Sequence, residues 1–233
     1  IPGDDPSYIG SGPTIQATGS NKDAIKILND YKIHINENLK EVIIKNQLPK
    51  ILHSPTYMIA SPMMALKSAY NEAEKLGFKP IIISDTLEGE ARLEGKKMAE
   101  LAIKIKKEKK FGDTLLEHPI LLLSGGETTV TVKGNGKGGR NTEFMLSMAI
   151  HLKEANGITA LSIDTDGIDG VEDNAGAFIS DLTLKKAKSK KLEPQKFLDN
   201  NDSYSFFEKI DDLIFTKPTL TNVNDFRAVL IQP

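Results

Sequence analysis

Three loops carry most of the residue types that could do chemistry. Ser124-Gly125-Gly126-Glu127-Thr128-Thr129 follows an apolar run and offers backbone donors, a carboxylate and hydroxyls. Gly134-Asn135-Gly136-Lys137-Gly138-Gly139-Arg140-Asn141 is rich in glycine and ends on an arginine at the expected start of a helix. Asp164-Thr165-Asp166-Gly167-Ile168-Asp169-Gly170 sets three carboxylates and a hydroxyl just past another apolar run. Unpaired N–H groups at a helix start, with the helix dipole, favour an anion, and Arg140 adds a fixed fork of donors. Arg140 could grip a carboxylate bidentately or stabilise a transferring phosphoryl group. Carboxylates beyond a buried strand suit magnesium ligands or a general base. Anion donors facing carboxylates point to a phosphorylated ligand with a divalent metal.

Spacing excludes several alternatives. The glycine loop lacks the Gly-Lys-Ser/Thr of a Walker A loop, and its placement does not match a dinucleotide fingerprint. A calcium loop starting at Asp164 would need an acidic residue where Ala175 stands. The histidines 34, 53, 118 and 151 have no metal-ligand spacing, and no Gly-x-Ser-x-Gly elbow is present. The competing readings are structural: a hairpin connection for the glycine loop, turn formation for the aspartates, a strand-end role for Glu127.

The elements that must position these loops follow from periodicity and punctuation. Residues 1–19 read as loop, either a surface linker or an active-site loop offering Asp4, Asp5, Ser11 and Thr14. Helices are expected over 21–31 and over 36–48, the second stopped by Pro49. A short strand over 57–60 precedes a helix entered at Pro62 and ended by Gly77. The strand 79–84 follows, with a right-handed crossover. The segment 85–92 opens a helix through about residue 107; Glu88 and Glu90 either complement its dipole or, with Arg92, approach a ligand. The lysine-rich end of that helix reads as solvated surface. A strand over 120–123, a hairpin partner over 128–133, a helix over 140–152 and a strand over 158–163 come next. Helical pieces over 182–190 and 194–209 precede strands at 213–215 and 224–231, the last with Phe226, Ala228 and Leu230 alternating. The fold class is α/β, a layered sheet with flanking helices.

Composition sets outer limits. A chain of 233 residues, 39% hydrophobic and 27% charged, suits one large or two small globular domains. A net charge of −2 gives no footprint for nucleic acid or an anionic membrane. The absence of cysteine rules out disulfides and thiolate metal sites and fits a cytoplasmic setting. No apolar run approaches the roughly 20 residues of a membrane span, and no signal peptide is recognisable. The opening Ile1-Pro2-Gly3-Asp4-Asp5-Pro6 lacks Met and resembles a loop, so the chain reads as a C-terminal portion of something longer or as a trimmed piece.

These motifs together resemble a known family. Leu123 to Val130, Gly138 to Glu143, Asp164 to Gly170 and Thr219 to Arg227 are similar to the C-terminal, MOFRL-type region of the glycerate 2-kinases. Gly3 to Ser7, Ser11 to Thr14 and Leu87 to Arg92 extend the resemblance over nearly the whole chain. It implies phosphorylation of D-glycerate to 2-phosphoglycerate with ATP and Mg2+, in a cleft between two α/β domains. It also implies a Rossmann-like N-terminal part with a Gly-rich loop and a catalytic lysine, largely missing here, so the chain alone is expected to be inactive. Residues 1–52 would then be the remnant of that N-terminal domain or linker helices, and 53–233 the C-terminal domain, with the MOFRL region at about 119–231.

On this resemblance the family's active-site arginine is Arg140. Position and chemistry add Asp166 as a catalytic base and Asp164 and Asp166 as metal ligands. Ser124, Gly125, Gly126, Glu127, Thr128, Gly138, Gly139, Asn141, Asp169 and Asn222 are the expected substrate- and nucleotide-binding residues. Partners are the small molecules, the missing domain and, compatibly, a second copy of the chain, without nucleic acid or membrane. Two rival readings are an NAD(P)H-dependent hydroxypyruvate reductase, a label some relatives carry, and a non-catalytic ligand-binding domain.

Overall fold

Two units make up the chain in a computed structural model that describes residues 5–12, 14–16, 19–46, 55–115, 117–153 and 155–233. The larger runs from Ile59 to Pro233 and the smaller lies within Asp4–Met58. Asp4, the Pro49 helix stop, the expected 52/53 boundary and His53 fall outside the described residues.

The smaller unit holds a 3-10 turn, Pro6–Ser11, and two helices, α1 (Asn21–Asp30) and α2 (Glu37–Lys45). Asp5 accepts from the Ser7 N–H at 2.9 Å and so starts the turn. Ser20 and Asp23 form a reciprocal capping box on α1, and Asn36 accepts from Leu39 N–H at 2.8 Å to cap α2. The Asn21 amide ties the helices by donating to the carbonyls of Ile44 and Asn46. The strand expected over 57–60 is absent: those residues have no regular structure, and Tyr57 and Ile59 are exposed. An apolar run without a ladder partner does not become a strand.

In the larger unit, Ser61 and Pro62 start α3 (Pro62–Lys75), which leads into β1 (Lys79–Ser84). After β2 (Gly89–Glu90), α4 (Ala91–Glu108) and a small hairpin of β3 (Lys110–Phe111) and β4 (Thr114–Leu115), the chain enters β5 (Ile120–Ser124). β1 and β5 are parallel, so α4 is carried in the crossover between them. Then follow β6 (Thr128–Thr129), α5 (Arg140–Leu152), β7 (Ile158–Asp164) and β8 (Gly176–Ile179). The short helices α6 (Thr183–Ser189), α7 (Pro194–Asp199) and α8 (Ser203–Ile210) precede β9 (Leu213–Ile214) and β10 (Asp225–Ile231).

The main sheet has six strands in the order β1-β5-β10-β7-β8-β9. The last strand therefore lies between β5 and β7, antiparallel to both, with Arg227 opposite Ser124 and Asp225 opposite Asp164. This register brings the ends of β1, β5 and β7 and the start of β10 to one edge. The layered α/β architecture expected from the sequence is the one observed.

Three local readings are corrected. Thr128–Thr129 pairs in parallel with β2, not as a hairpin with β5, because Glu90 takes the Thr131 N–H and hydroxyl at 2.5 and 2.8 Å. The helix expected over 194–209 breaks into α7 and α8 at Asn200–Asp202, where Asn201 has φ of 52°. On β10 the fully buried positions are Asp225, Arg227, Val229 and Ile231, the phase opposite to Phe226, Ala228 and Leu230.

The core joins α4 and α5 to the sheet through Met98, Ile105, Phe144, Met148, Leu122 and Val229. Gly95 permits the contact between those helices: a Cβ there would lie 2.3 Å from the Phe144 carbonyl oxygen. Gly95→Val should therefore lower the stability of the larger unit by about 3 kcal/mol in a urea titration, and an unchanged midpoint would contradict this contact.

Candidate active site

The register explains why the loops meet. The turn after β7 is laced to the segment before β10: Thr165 donates through N–H and hydroxyl to the Asn224 carbonyl at 3.1 and 2.7 Å. Val223 N–H donates back to the Thr165 hydroxyl at 2.8 Å, and Thr219 N–H to the Asp166 carbonyl at 3.0 Å. The turn after β5 joins them, with Asp225 N–H donating to the Gly126 carbonyl at 2.9 Å.

Asp225 is the hub. It accepts from Arg140 Nε at 2.8 Å, Asn141 Nδ2 at 2.8 Å and Thr128 N–H at 3.3 Å, and it pairs with Arg227. Arg227 is fully buried, with its guanidinium 4.9 Å from the Phe144 ring centroid. It also donates to the Gly125 carbonyl at 3.1 Å and the Thr128 hydroxyl at 3.2 Å. Burial draws the Arg227 pKa down, opposed by Asp225. A carboxylate between two guanidiniums is the arrangement that such burial requires.

Arg140, the first residue of α5, is the accessible one of the two arginines, with 22% of its side chain exposed. Besides Asp225 it donates to Asp164 Oδ2 at 2.5 Å and lies 3.6 Å from Glu127. Desolvation lowers its pKa, but Asp225, Asp164 and Glu127 outweigh that and hold it above its usual value. Asp164 in turn accepts from the Asp166 N–H at 3.1 Å.

Burial pushes the Asp164 carboxyl from 3.8 up to about 7, against the pull of the Asp166 N–H and Arg140. A raised carboxyl pKa means that the folded state binds the proton more tightly. Its stabilising effect is full below the unfolded value and is lost as pH rises towards about 7. Between about pH 4.5 and about pH 7.5, Asp164→Asn should show a smaller fall in melting temperature than the parent protein. An identical pH profile would contradict this environment for Asp164.

The start of α5 is satisfied from within the protein. Asp169, fully buried, accepts from the N–H groups of Asn141 and Thr142 at 2.9 and 2.8 Å and from the Thr142 hydroxyl at 2.9 Å. Burial raises its pKa and these donors oppose the rise. The anion at this helix start is thus a side chain of the chain itself. A Cβ at Gly139 would lie 2.3 Å from the Asp169 carboxylate, so glycine is what allows the approach.

The remaining glycines of this loop serve a similar contact. N–H groups of Lys133 and Gly134 donate to Asn201 Oδ1 at 2.8 and 3.0 Å, Gly136 to the Asn200 carbonyl at 3.0 Å, and Lys137 to Asp202 Oδ1 at 2.9 Å. The N–H groups of Lys133, Gly134, Gly136 and Lys137 make this part of the loop a strap over the break between α7 and α8, while the Gly139 N–H donates to the Thr142 hydroxyl at 3.0 Å. Gly138 lies against Ser203.

The other expected residues divide by access. Glu127, Asp166 and Arg140 are partly exposed at the edge and Asn222 is exposed. Asp166 accepts from Ile168 N–H at 2.9 Å and from Asn222 Nδ2 at 3.0 Å, which fixes its carboxylate. Ser124, Thr128 and Asn141 are buried, the Ser124 hydroxyl without a hydrogen-bond partner among the described residues. Gly126 has φ of 97°, and a Cβ would lie 2.2 Å from Leu87 N, so this glycine pair packs on the turn after β1. Glu90 holds Thr131, and Arg92 binds Glu143 at 2.8 Å and the Leu198 carbonyl at 3.0 Å, so both knit the scaffold.

Among the described residues no three His, Asp or Glu groups converge on a possible metal position. Asp164 is engaged with Arg140, and Asp166 with Asn222 and Ile168. This donor set does not fit a magnesium ion. Asp225 and Arg227 are site residues that lie in the Thr219–Arg227 motif but were assigned no role by it. Their signal was two charges spaced by one residue inside an apolar strand, which places both on the same face.

Comparison with known proteins adds relatives to this geometry. Residues 120–225 match the MOFRL family, and residues 1–44 match a domain of unknown function, DUF4147. The chain is 39% identical to the D-glycerate 2-kinase of Thermotoga maritima over 229 residues, covering 98% of the chain and 54% of that protein. It is 43% identical over 236 residues to an Agrobacterium vitis protein named hydroxypyruvate reductase, covering 99% and 53%. The crystal structure of a Thermotoga maritima glycerate kinase superposes with a TM-score of 0.88 at 36% identity, over 99% of this chain and 55% of that one. The chain spans about half the length of the curated relatives it matches.

Proposed function

We propose that this chain, whose residues 120–225 match the MOFRL family and which is 39% and 34% identical to two glycerate 2-kinases over about half of their length, forms one wall of a site phosphorylating D-glycerate to 2-phosphoglycerate, with ATP as the donor. The observation that carries this reading is Arg140, a restrained and partly exposed cation where three loops meet. Arg140 binds the glycerate carboxylate or offsets charge on the transferring phosphoryl group. Asp166, held by Asn222, accepts the proton of the 2-hydroxyl as that oxygen bonds to the γ-phosphorus and the bond to ADP breaks. Asp164 and Asp225 position Arg140. The acceleration comes mainly from positioning and electrostatics.

The Gly134–Gly139 loop is engaged with residues 200–203, so we assign the nucleotide cradle to groups equivalent to the part of the relatives that lies outside the match. The magnesium expected with ATP is likewise not assigned to Asp164 and Asp166. No helix among the described residues is long and apolar enough to cross a membrane, and a cytoplasmic setting is part of the proposal.

The name of the Agrobacterium vitis relative favours a second reading, hydroxypyruvate reduction. A hybrid separates the two: the Thermotoga maritima D-glycerate 2-kinase with its matching segment replaced by this chain. D-Glycerate-dependent ADP release is expected. Hydroxypyruvate-dependent NADH oxidation without ADP release would overturn the kinase reading.

A further inference from the structure

α5 leads away from the candidate site and β7 leads back to it. α5 has 13 residues from Arg140 and β7 has 7 residues ending at Asp164, so each spans about 20 Å. At their far ends lies a pocket of about 510 Å³. Small-molecule sites occupy roughly 300–1,000 Å³ and are mostly apolar with a few polar groups. Its floor is the edge of the core, Ala149, Leu152, Ile158 and Ile179, each at most 7% exposed, and Leu184 stands half-buried beside them. Lys153, Lys185 and Lys188 stand around it. None of these lysines is in an ion pair with another described residue. The acidic member of the lining, Asp181, accepts from the Gly157 N–H at 3.0 and 3.2 Å, so its carboxylate is held by the 156–158 turn.

We propose that this pocket is a second binding site, separate from the Arg140 edge, for a small carboxylate with an apolar body. Its apolar lining removes a short hydrocarbon or aryl group from water. Three lysines against one carboxylate leave a positive rim that selects an anion and disfavours a cation of equal size. The proposal does not depend on the kinase reading, because its pocket shares no residue with the candidate site.

The test uses the whole chain with octanoate as probe, and octan-1-ol and octylammonium as controls of equal length. Methyl NMR should show saturable shifts at Ile158, Ile179 and Leu184 with octanoate, and weak or no shifts there with octylammonium. Lys185→Glu with Lys188→Glu changes two exposed side chains and should weaken octanoate binding by about tenfold or more. Equal octanoate affinity in the double variant would overturn the proposal. So would equal binding of octylammonium, or octanoate shifts that leave Ile158, Ile179 and Leu184 unmoved.

Discussion

Asp225→Ala is expected to destabilise the larger unit by about 3–5 kcal/mol, more than any change at the solvent-facing edge. The carboxylate accepts from Arg140, Asn141 and Thr128 and pairs with the fully buried Arg227. Its removal leaves the Arg227 cation in a low-dielectric setting over Phe144 and takes from Arg140 one of its two close counter-charges, Asp164 being the other. Urea titration followed by circular dichroism reads the loss directly, and a midpoint within error of the parent would contradict the hub role. Asp225→Asn keeps the shape and two acceptor lone pairs, so it should fall between the two.

The second large effect is on activity. In the hybrid enzyme, Arg140→Ala should lower the rate of glycerate phosphorylation by about 100-fold or more, the scale for losing a donor aimed at developing charge. Its cost to stability should be smaller than that of Asp225→Ala, because Arg140 is partly exposed and Asp164, whose carboxyl already sits at about 7, can relax by taking up a proton. Comparing kcat with KM separates the two roles left open for Arg140. A carboxylate anchor used equally in both states raises KM alone, whereas phosphoryl stabilisation lowers kcat. A stable Arg140→Ala variant turning over at the parental rate would remove Arg140 from the site.

Much of the fold was legible because strong periodicity and strong punctuation coincide. The helix from Arg140 to Leu152 and the strands at Ile120 and Ile158 have both, and they form at the expected places. Elements that depend on a distant partner were not legible. Residues 57–60 have strand composition but no ladder, and Gly176–Ile179 has little strand composition but pairs because Gly176 allows it: a Cβ there would lie 1.9 Å from the Ser162 carbonyl oxygen. The glycine loop shows the same limit. Its composition suits a phosphate cradle and also a close backbone approach, and the second, made by Lys133 to Lys137 on Asn200–Asp202, depends on a segment more than 60 residues away. No role was legible for Asp225 and Arg227, although both lie in the Thr219–Arg227 motif, because β10 was phased by its apolar residues while the buried face carries the two charges. A buried ion pair in a strand is visible in sequence only as alternating charge.

The most direct test of the central claim is ³¹P NMR of the product made by the hybrid enzyme from D-glycerate and ATP, once circular dichroism has established that the hybrid folds. A 2-phosphoglycerate resonance that disappears with Arg140→Ala is expected. Undiminished ATP and no phosphoglycerate from the folded hybrid, or equal product from the Arg140→Ala form, would contradict it.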